Sequence, residues 1–435
     1  MSAATMESTS PAPAAHETSK WPSWFEEERA QAREDYASSK APGRRDEAWR
    51  FSDLKAIATD AFVPACDVAD PSALIARSTG VPDPASRMIF ANNRLLHSGG
   101  ATLPDGVLLI PLETAAREHA DLFREFFMSQ PVELGSHRFA ALHRAEIQTG
   151  AFLYVPEGVE ISRPIEIFHW VEGRNATIHP HTLVVCGERS KVTVIDHFLS
   201  SDDEPAFACG VNDLHLARGA SLNYIADQNW SHETLAFHIN STIVARDAQS
   251  TALTANFGGR FIRGEALSRM VGEGARSEMF SMNPLEGARQ IDQRTLQDHA
   301  APHAASDLLY LNALDDTSRS IFAGLIKVQT GAHRTDAYQK VRNLMLSDEA
   351  EANSMPGLEI LADDVRCTHG ATSGEINADE LFYLEARGIP EKAGRRLIVD
   401  GFFNTLLERV KDPVARGYLA RSVAKRLGVP APMEV

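Results

Sequence analysis

The sequence feature that most constrains the fold is a weak repeat between residues 150 and 365, in which a small or polar turn precedes a short strand. The segments GERSKVTV, ARGASLNY, RDAQSTAL, GEGARSEM and QTGAHRTD begin at intervals of about 26 to 32 residues, and the final interval is about twice as long. One strand face cannot bury its apolar side chains alone, whereas stacked coils share an interior and pair their edges. The repeat therefore favours a parallel β-helix.

A β-sandwich is the alternative fold for the same segment. Strands of a sandwich also recur about every 8 to 12 residues. Short runs of Val, Ile, Thr and Leu, broken by Gly, Asn or Asp, suit both architectures. Spacing alone leaves the two folds open.

Composition divides the chain into four regions. Residues 1–20 are polar and lack the basic and then apolar order of a signal peptide, so we expect a disordered tail. Residues 21–149 combine a charged helical pattern with short apolar strands, which predicts an N-terminal helical and mixed region. We expect the β-helix core over residues 150–375 and a C-terminal helical domain over residues 376–435.

The C-terminal region combines a helical pattern with a local excess of positive charge. One apolar stripe recurs at helical spacing through Ile398, Phe402, Leu406 and Val410. Beyond Ala386, ten Lys or Arg residues stand against five Asp or Glu residues. A basic amphipathic segment is typical of docking to a partner. A helix pair that packs on the chain's own core is the alternative.

Charge and cysteine usage limit the partners and the compartment. The formal net charge of −16 repels a phosphate backbone, so we expect no nucleic-acid partner. No apolar run approaches the length of a bilayer span, so we expect no membrane association. Cys66, Cys186, Cys209 and Cys367 are scattered without CxxC spacing, which argues against a metal cluster held by this chain's cysteines alone. Free thiols and a cytoplasmic location are the expectation.

The segment EILADDVRCTHGATSG, residues 359–374, contains the leading candidate ligands. Cys367 and His369 are two residues apart, so on a strand both side chains point to one face, about 7 Å apart. Thiolate and imidazole together suit iron or zinc. An iron–sulfur cluster commonly takes about four ligands, so another chain would have to supply the rest. A small buried cysteine beside an unrelated histidine is the alternative.

A second histidine pair, HPH at residues 179–181, is either part of a metal site or a strand-end turn.

Motifs for nucleotide and hydrolase chemistry are absent from the sequence. It contains no Gly-Lys-Ser or Gly-Lys-Thr, no GxGxxG in a βαβ setting and no GxSxG. We therefore expect no ATP site on this chain.

Three sequence blocks together resemble the SufB/SufD family of iron–sulfur cluster assembly proteins, and the SufD branch most closely. They are PGRRDEAWRFSDL near the start, GAFLYVPEGVEISRPIEIFHW at 150–170, and the long segment from SRSIFAGLIKV to YLEARGI at 318–389. The resemblance implies a mainly β protein with a right-handed parallel β-helix core and helical regions at both ends. The family's Cys-Ser-His-Gly motif falls on Cys367, Thr368, His369 and Gly370.

The resemblance also implies a scaffold role without catalysis. SufD-type proteins pair with a SufB paralogue through their β-helices and dock the ATPase SufC through their C-terminal helices, and clusters form at the SufB interface. His369 would then bind iron or a transient iron–sulfur cluster, with Cys367 as a second candidate ligand. Cys186 and Cys209 match no additional SufB-type positions, which favours the SufD branch. A homodimer through the same face is a further expectation for the chain in isolation.

Two other functions fit part of the sequence. A β-solenoid polysaccharide lyase would share the fold, but such enzymes usually carry a secretion signal, which the opening residues do not resemble. A cupin-like metal-binding protein would use the HPH pair. Tight metal binding by the isolated chain would favour the cupin, whereas metal that appears only with a partner would favour the scaffold.

Overall fold

Two β-sheets form the centre of residues 20–430, the part of the chain that the computed structural model describes. The expected disordered tail therefore lies, except for Lys20, outside the described residues. Sheet A contains β1 Val63–Pro64, β4 Leu108–Pro111, β5 Ala151–Val155, β7 Ala176–Ile178, β8 His181–Cys186, β10 Ala206–Leu216, β12 Leu235–Val244, β14 Phe261–Met270, β16 Gln290–His299, β18 Arg319–Val328 and β20 Glu351–Ile360. Sheet B contains β2 Ser86–Ala91, β3 Arg94–Gly100, β6 Ile165–Val171, β9 Lys191–Ser200, β11 Ser221–Asn229, β13 Gln249–Asn256, β15 Arg276–Leu285, β17 Ala305–Leu314, β19 Asp336–Met345 and β21 Arg366–Glu375.

From β8 onward, successive strands alternate between the two sheets, and each pairs in parallel with the next strand of its own sheet. Gln249 pairs with Arg276 and Ala305 pairs with Asp336, so residues on neighbouring coils are 27 and 31 positions apart. This arrangement is a parallel β-helix, as predicted. The sandwich alternative is wrong, because a sandwich would join these strands in antiparallel pairs.

One corner of the β-helix explains the repeat seen in the sequence. The turn before each sheet B strand from β9 to β21 has a residue with φ between 54° and 72°, namely Arg189, Gly219, Asp247, Gly274, His303, Arg334 and Asp364. Each of the first six donates its backbone N–H to a carbonyl of the next coil, as His303 does to His333 O at 2.9 Å. The double interval in the sequence repeat holds a complete coil, whose turn contains His303.

A polar ladder lies inside the β-helix, among the buried apolar side chains. Four asparagines at one register of sheet B are joined amide to amide, Asn256 to Asn283 at 2.6 Å, Asn283 to Asn312 at 2.7 Å and Asn312 to Asn343 at 2.7 Å. Each buried amide thereby gains a partner that the apolar interior could not supply. A slip of one residue would turn every rung outward, so the ladder favours a single strand register.

Four of the five N-terminal helices cover the outer face of sheet A. These are α1 Ser23–Ser38, α3 Leu112–Glu118, α4 Ala120–Phe126 and α5 His137–Glu146, together with a 3₁₀ turn at Glu47–Trp49. The fifth, α2 Pro71–Arg77, packs through Leu74 on Ile89 and Phe168 of sheet B. Phe25 of α1 and Phe123 of α4 pack against Phe152 and Leu183 of the sheet. None of the helices within residues 20–430 is long and apolar enough to span a membrane.

The C-terminal helices are α6 Ala378–Glu385, α7 Glu391–Leu407 and α8 Pro413–Leu427. Helices α7 and α8 pack on the outer face of sheet B, where Phe403 and Leu419 meet Leu253 in one apolar cluster. This confirms the packing alternative for these two helices. The predicted stripe is partly wrong, because α7 buries Val399 and Phe403 whereas Ile398 and Phe402 are only partly buried.

A buried ionic cluster holds α8 against sheet B. His197 lies 3.3 Å from both Asp227 and Glu166, Tyr418 of α8 donates its hydroxyl hydrogen to Asp227, and Arg87 lies 2.7 Å from Glu166. Burial alone would lower the pKa of His197, but hydrogen bonds to Asp227 and Glu166 and their charges raise it to about 9. The folded chain therefore binds a proton at His197 that the unfolded chain releases near pH 6.5.

This cluster predicts a specific dependence of stability on pH. A raised pKa in the folded state stabilises fully below pH 6.5, and this contribution is lost as the pH rises through about 9. We expect the difference in unfolding free energy between the wild type and His197→Gln to shrink across this window, measured by urea denaturation at a series of pH values. A difference that stays constant across the window would show that His197 is not the titrating group.

Candidate functional site at the open end of the β-helix

The last coil leaves one end of the β-helix open within the described residues. Strand β20 is the end strand of sheet A and β21 is the end strand of sheet B, so each pairs on one side only. Both strands are ten residues long and are mostly exposed or partly exposed. They present a row of backbone N–H and C=O groups that another strand could pair with.

Cys367 and His369 both lie on β21 and point toward the interior side of the coil. Cys367 pairs with Ala337 and His369 pairs with Gln339, and both partners are buried inside the β-helix. Residues paired in parallel strands place their side chains on the same face. His369 is nevertheless exposed, because no further coil of the described chain covers it.

The rim of the open end combines hydroxyl groups with apolar side chains. The Asn343 amide, the last rung of the ladder, donates to Ser354 of β20 at 3.3 Å and to Ser373 of β21 at 3.1 Å. These bonds show that both hydroxyls face the interior across the opening. Leu358 and Ile360 of β20 are about two-fifths exposed, at 38% and 41%. The open end therefore has an apolar side, which suits contact with another protein.

The Cys367 side chain is half-buried against an apolar cluster that includes Val328 and Val365. Burial, and next the charge of Asp336, raise the pKa of the Cys367 thiol. Because the thiolate is the form that binds metals, the thiol of the chain alone is poorly prepared to act as a ligand. His369 is accordingly the stronger candidate of the two.

The described residues contain no group of three or more His, Cys, Asp or Glu side chains placed to hold a metal ion. Cys186 and Cys209 are buried elsewhere, and burial raises the pKa of the Cys186 thiol to about 12 and that of Cys209 still further. The donor set at the open end is therefore incomplete. Any metal centre there would need further ligands from outside residues 20–430.

The HPH pair is part of a packing contact. A backbone carbonyl can only accept, so His143 of α5 donates from Nδ1 to Cys209 O at 2.8 Å and accepts at Nε2 from His181 Nδ1 at 3.0 Å. His181 also lies 3.3 Å from Asp213, and Phe127 stacks on its ring. These contacts join α5 to sheet A. The pair belongs to a buried strand-end turn, and the cupin alternative has no support.

Sequence reasoning missed the polar side chains beneath His369. Gln339 and Asn343 are buried on the interior face of β19, directly below the last coil. The sequence signal was the alternation in DAYQKVRNLM, in which every second residue faces inward. Polar residues at two of those inward positions indicate that their side chains are hydrated or hydrogen-bonded inside the β-helix.

Comparisons with known proteins agree with this architecture. The family described as "SUF system FeS cluster assembly, SufBD core domain" matches residues 169–402, and the one described as "SufBD protein N-terminal region" matches residues 15–167. An iron–sulfur cluster assembly SufBD family protein of Synechocystis is 28% identical over 89% of this chain and 88% of its own length. The iron–sulfur cluster assembly protein SufD of Bacillus subtilis is 30% identical over 68% of each chain, and SufD of Escherichia coli is 25% identical over 89% of each.

Proposed function

The chain belongs to the SufB/SufD family of iron–sulfur cluster assembly proteins, and from this premise we propose that it is a SufD-like scaffold subunit of a SufBCD-type complex. In this proposal it contributes to iron acquisition and cluster formation at an interface with a SufB-like paralogue. It performs no catalysis of its own, and ATP is hydrolysed by a SufC-like subunit. We place the complex in the cytoplasm.

The observation that carries the proposal is the position of His369 at the open end of the interior. An imidazole there is accessible, faces the space that a second β-helix would cover, and lacks the neighbours to complete a metal site among the described residues. An incomplete donor set suits a site on which an iron–sulfur cluster is assembled and from which it is then released. A closed site with all ligands on one chain would retain the metal.

The free edges of β20 and β21 support pairing with the paralogue. Two ten-residue strands can extend both sheets into a partner by adding parallel or antiparallel strands, which satisfies their backbone groups. A second copy of this chain can use the same edges, so a homodimer in isolation remains part of the proposal.

Helix α6 supports docking of the ATPase subunit. It buries none of its residues, and Phe382 and Tyr383 are 69% and 56% exposed. Aromatic residues in this setting are typical of a protein contact. Helices α7 and α8 pack on sheet B, so α6 is the C-terminal helix with the most surface free for the ATPase.

Co-purification with the SufB-like paralogue tests this proposal. We expect Leu358→Asp to prevent formation of the complex, because a carboxylate would be desolvated in the apolar part of the interface. Val271→Asp is the matched control, since Val271 is similarly exposed at 46% but lies in a turn of an inner coil. Capture of the paralogue by wild type and V271D but not by L358D supports the interface. Equal capture by all three contradicts it.

A further inference from the structure

We propose that Gln339 is a positioning residue for His369. Its Oε1 accepts a hydrogen bond from one ring N–H of His369, which leaves the lone pair of the other ring nitrogen available to iron or to a cluster. The metal-binding part of this inference rests on the proposed function. The hydrogen bond itself concerns two residues of this chain and does not.

The strand register places the two residues together. Gln339 of β19 is the pairing partner of His369 of β21, and neighbouring strands lie about 4.8 Å apart. Both side chains point toward the interior. Gln339 is fully buried, whereas His369 is exposed and free to change rotamer.

The hydrogen bonds beneath Gln339 fix the orientation of its amide. Gln297 Nε2 donates to the Tyr338 carbonyl at 3.2 Å, and a carbonyl can only accept, so the two ends of the Gln297 amide are identified. Gln297 Oε1 then accepts from Gln339 Nε2 at 3.3 Å. This leaves Gln339 Oε1 buried and without a hydrogen-bond donor.

Packing holds the amide in this position. A Cβ atom at Gly324 would lie 2.4 Å from Gln339 Nε2, 2.5 Å from Phe322 Cζ and 2.6 Å from Thr295 Oγ1. The Gln339 amide therefore fills the space beside Gly324 of sheet A and leaves no room for its acceptor oxygen on that side. The remaining direction for its acceptor is the next coil, where His369 is the paired residue.

A hydrogen bond from His369 to this acceptor would serve metal binding. A histidine that binds a metal through one ring nitrogen commonly donates the N–H of the other to a nearby acceptor, which sets the tautomer and the orientation of the ring. An uncharged amide acceptor fixes the tautomer and adds no negative charge beside the cargo. A partner that covers the open end would strengthen the bond, because it would exclude water.

The test is the tautomer of His369 in the full-length chain without metal, read from ring ¹⁵N chemical shifts above the titration range of imidazole. The His369 signal is assigned by its absence in His369→Ala. We expect one dominant tautomer in the wild type. Gln339→Met removes the acceptor at nearly constant length, and we expect it to change the tautomer ratio about fivefold, as the loss of one hydrogen bond would.

One further variant makes the result specific. Ser373→Ala removes a hydroxyl at another register of the open end and should leave the ratio unchanged. A wild-type ratio in Gln339→Met, or an equal change in Ser373→Ala, would overturn the proposal. Because no metal enters this measurement, it can succeed even where cluster assembly proves independent of His369, so failures of the two proposals are distinguishable.

Discussion

Replacement of His369 by alanine is expected to abolish iron–sulfur cluster maturation in cells that depend on this chain, while the chain still folds and still binds its partner. The side chain is exposed on the terminal strand, so its removal should change the unfolding free energy by no more than about 0.5 kcal/mol. The expected loss is chemical, because the iron or the cluster would no longer have the imidazole of His369 as a ligand. The measurement is the activity of a cluster-dependent enzyme in a strain that lacks the native gene.

His97→Ala is the matched control for this experiment. His97 is also an exposed strand histidine, and it lies on β3, the end strand at the opposite edge of the same sheet. We expect full activity from H97A and none above background from H369A, with equal recovery of the partner by affinity purification. Normal enzyme activity in H369A would contradict a ligand role, and loss of the partner would point to a structural role.

Replacement of Arg263 by alanine is expected to cost about 3–5 kcal/mol of stability, because it leaves the Glu265 carboxylate buried without its cation and removes one of the two arginines that pair with Asp292. Arg263 is fully buried and lies 2.7 Å from Asp292 and 2.8 Å from Glu265. It also donates to Ala48 O at 3.0 Å, and its guanidinium stacks on Trp49. The cluster thus anchors the segment around the 3₁₀ turn to the outer face of sheet A.

Arg260→Ala is the control for Arg263→Ala. Arg260 is partly buried three residues earlier and donates to Ala56 O at 3.2 Å, with no buried carboxylate dependent on it. Urea denaturation should show a loss for R260A of about 1 kcal/mol, the usual value of one hydrogen bond. Equal losses in the two variants would mean that the buried carboxylates do not govern the cost. Recovery of stability in the double variant R263M, E265Q, which keeps the pair between Asp292 and Arg294, would support that they do.

The fold could be predicted because the turns that repeat along the β-helix have local sequence signals. A residue with positive φ stands two positions before each sheet B strand from β9 to β21, and turn-forming residue types mark most of these positions. The stripe on α7 was misplaced because Phe402 and Phe403 are adjacent, and only packing against sheet B decides which of them is buried.

The candidate site could be predicted only in part. Cys367 and His369 are two residues apart, so their common face follows from strand geometry. The glutamines that lie beneath His369 cannot be predicted from local sequence. Gln297, Gln339 and His369 lie on three different coils, and the contact between the first two spans 42 positions. Their meeting depends on the strand registers. The raised pKa of the Cys367 thiol likewise depends on burial that the sequence does not reveal.

In the proposed function, this chain begins a metal centre that a second subunit completes. Pulsed electron paramagnetic resonance of the purified complex, loaded with a reduced cluster, tests this most directly, because it detects nitrogen bound to iron. We predict a ¹⁴N coupling from an imidazole in the wild-type complex, no such coupling in the His369→Ala complex, and no cluster signal from this chain alone. An unchanged nitrogen coupling in the variant, or a stable cluster on the isolated chain, would contradict the account.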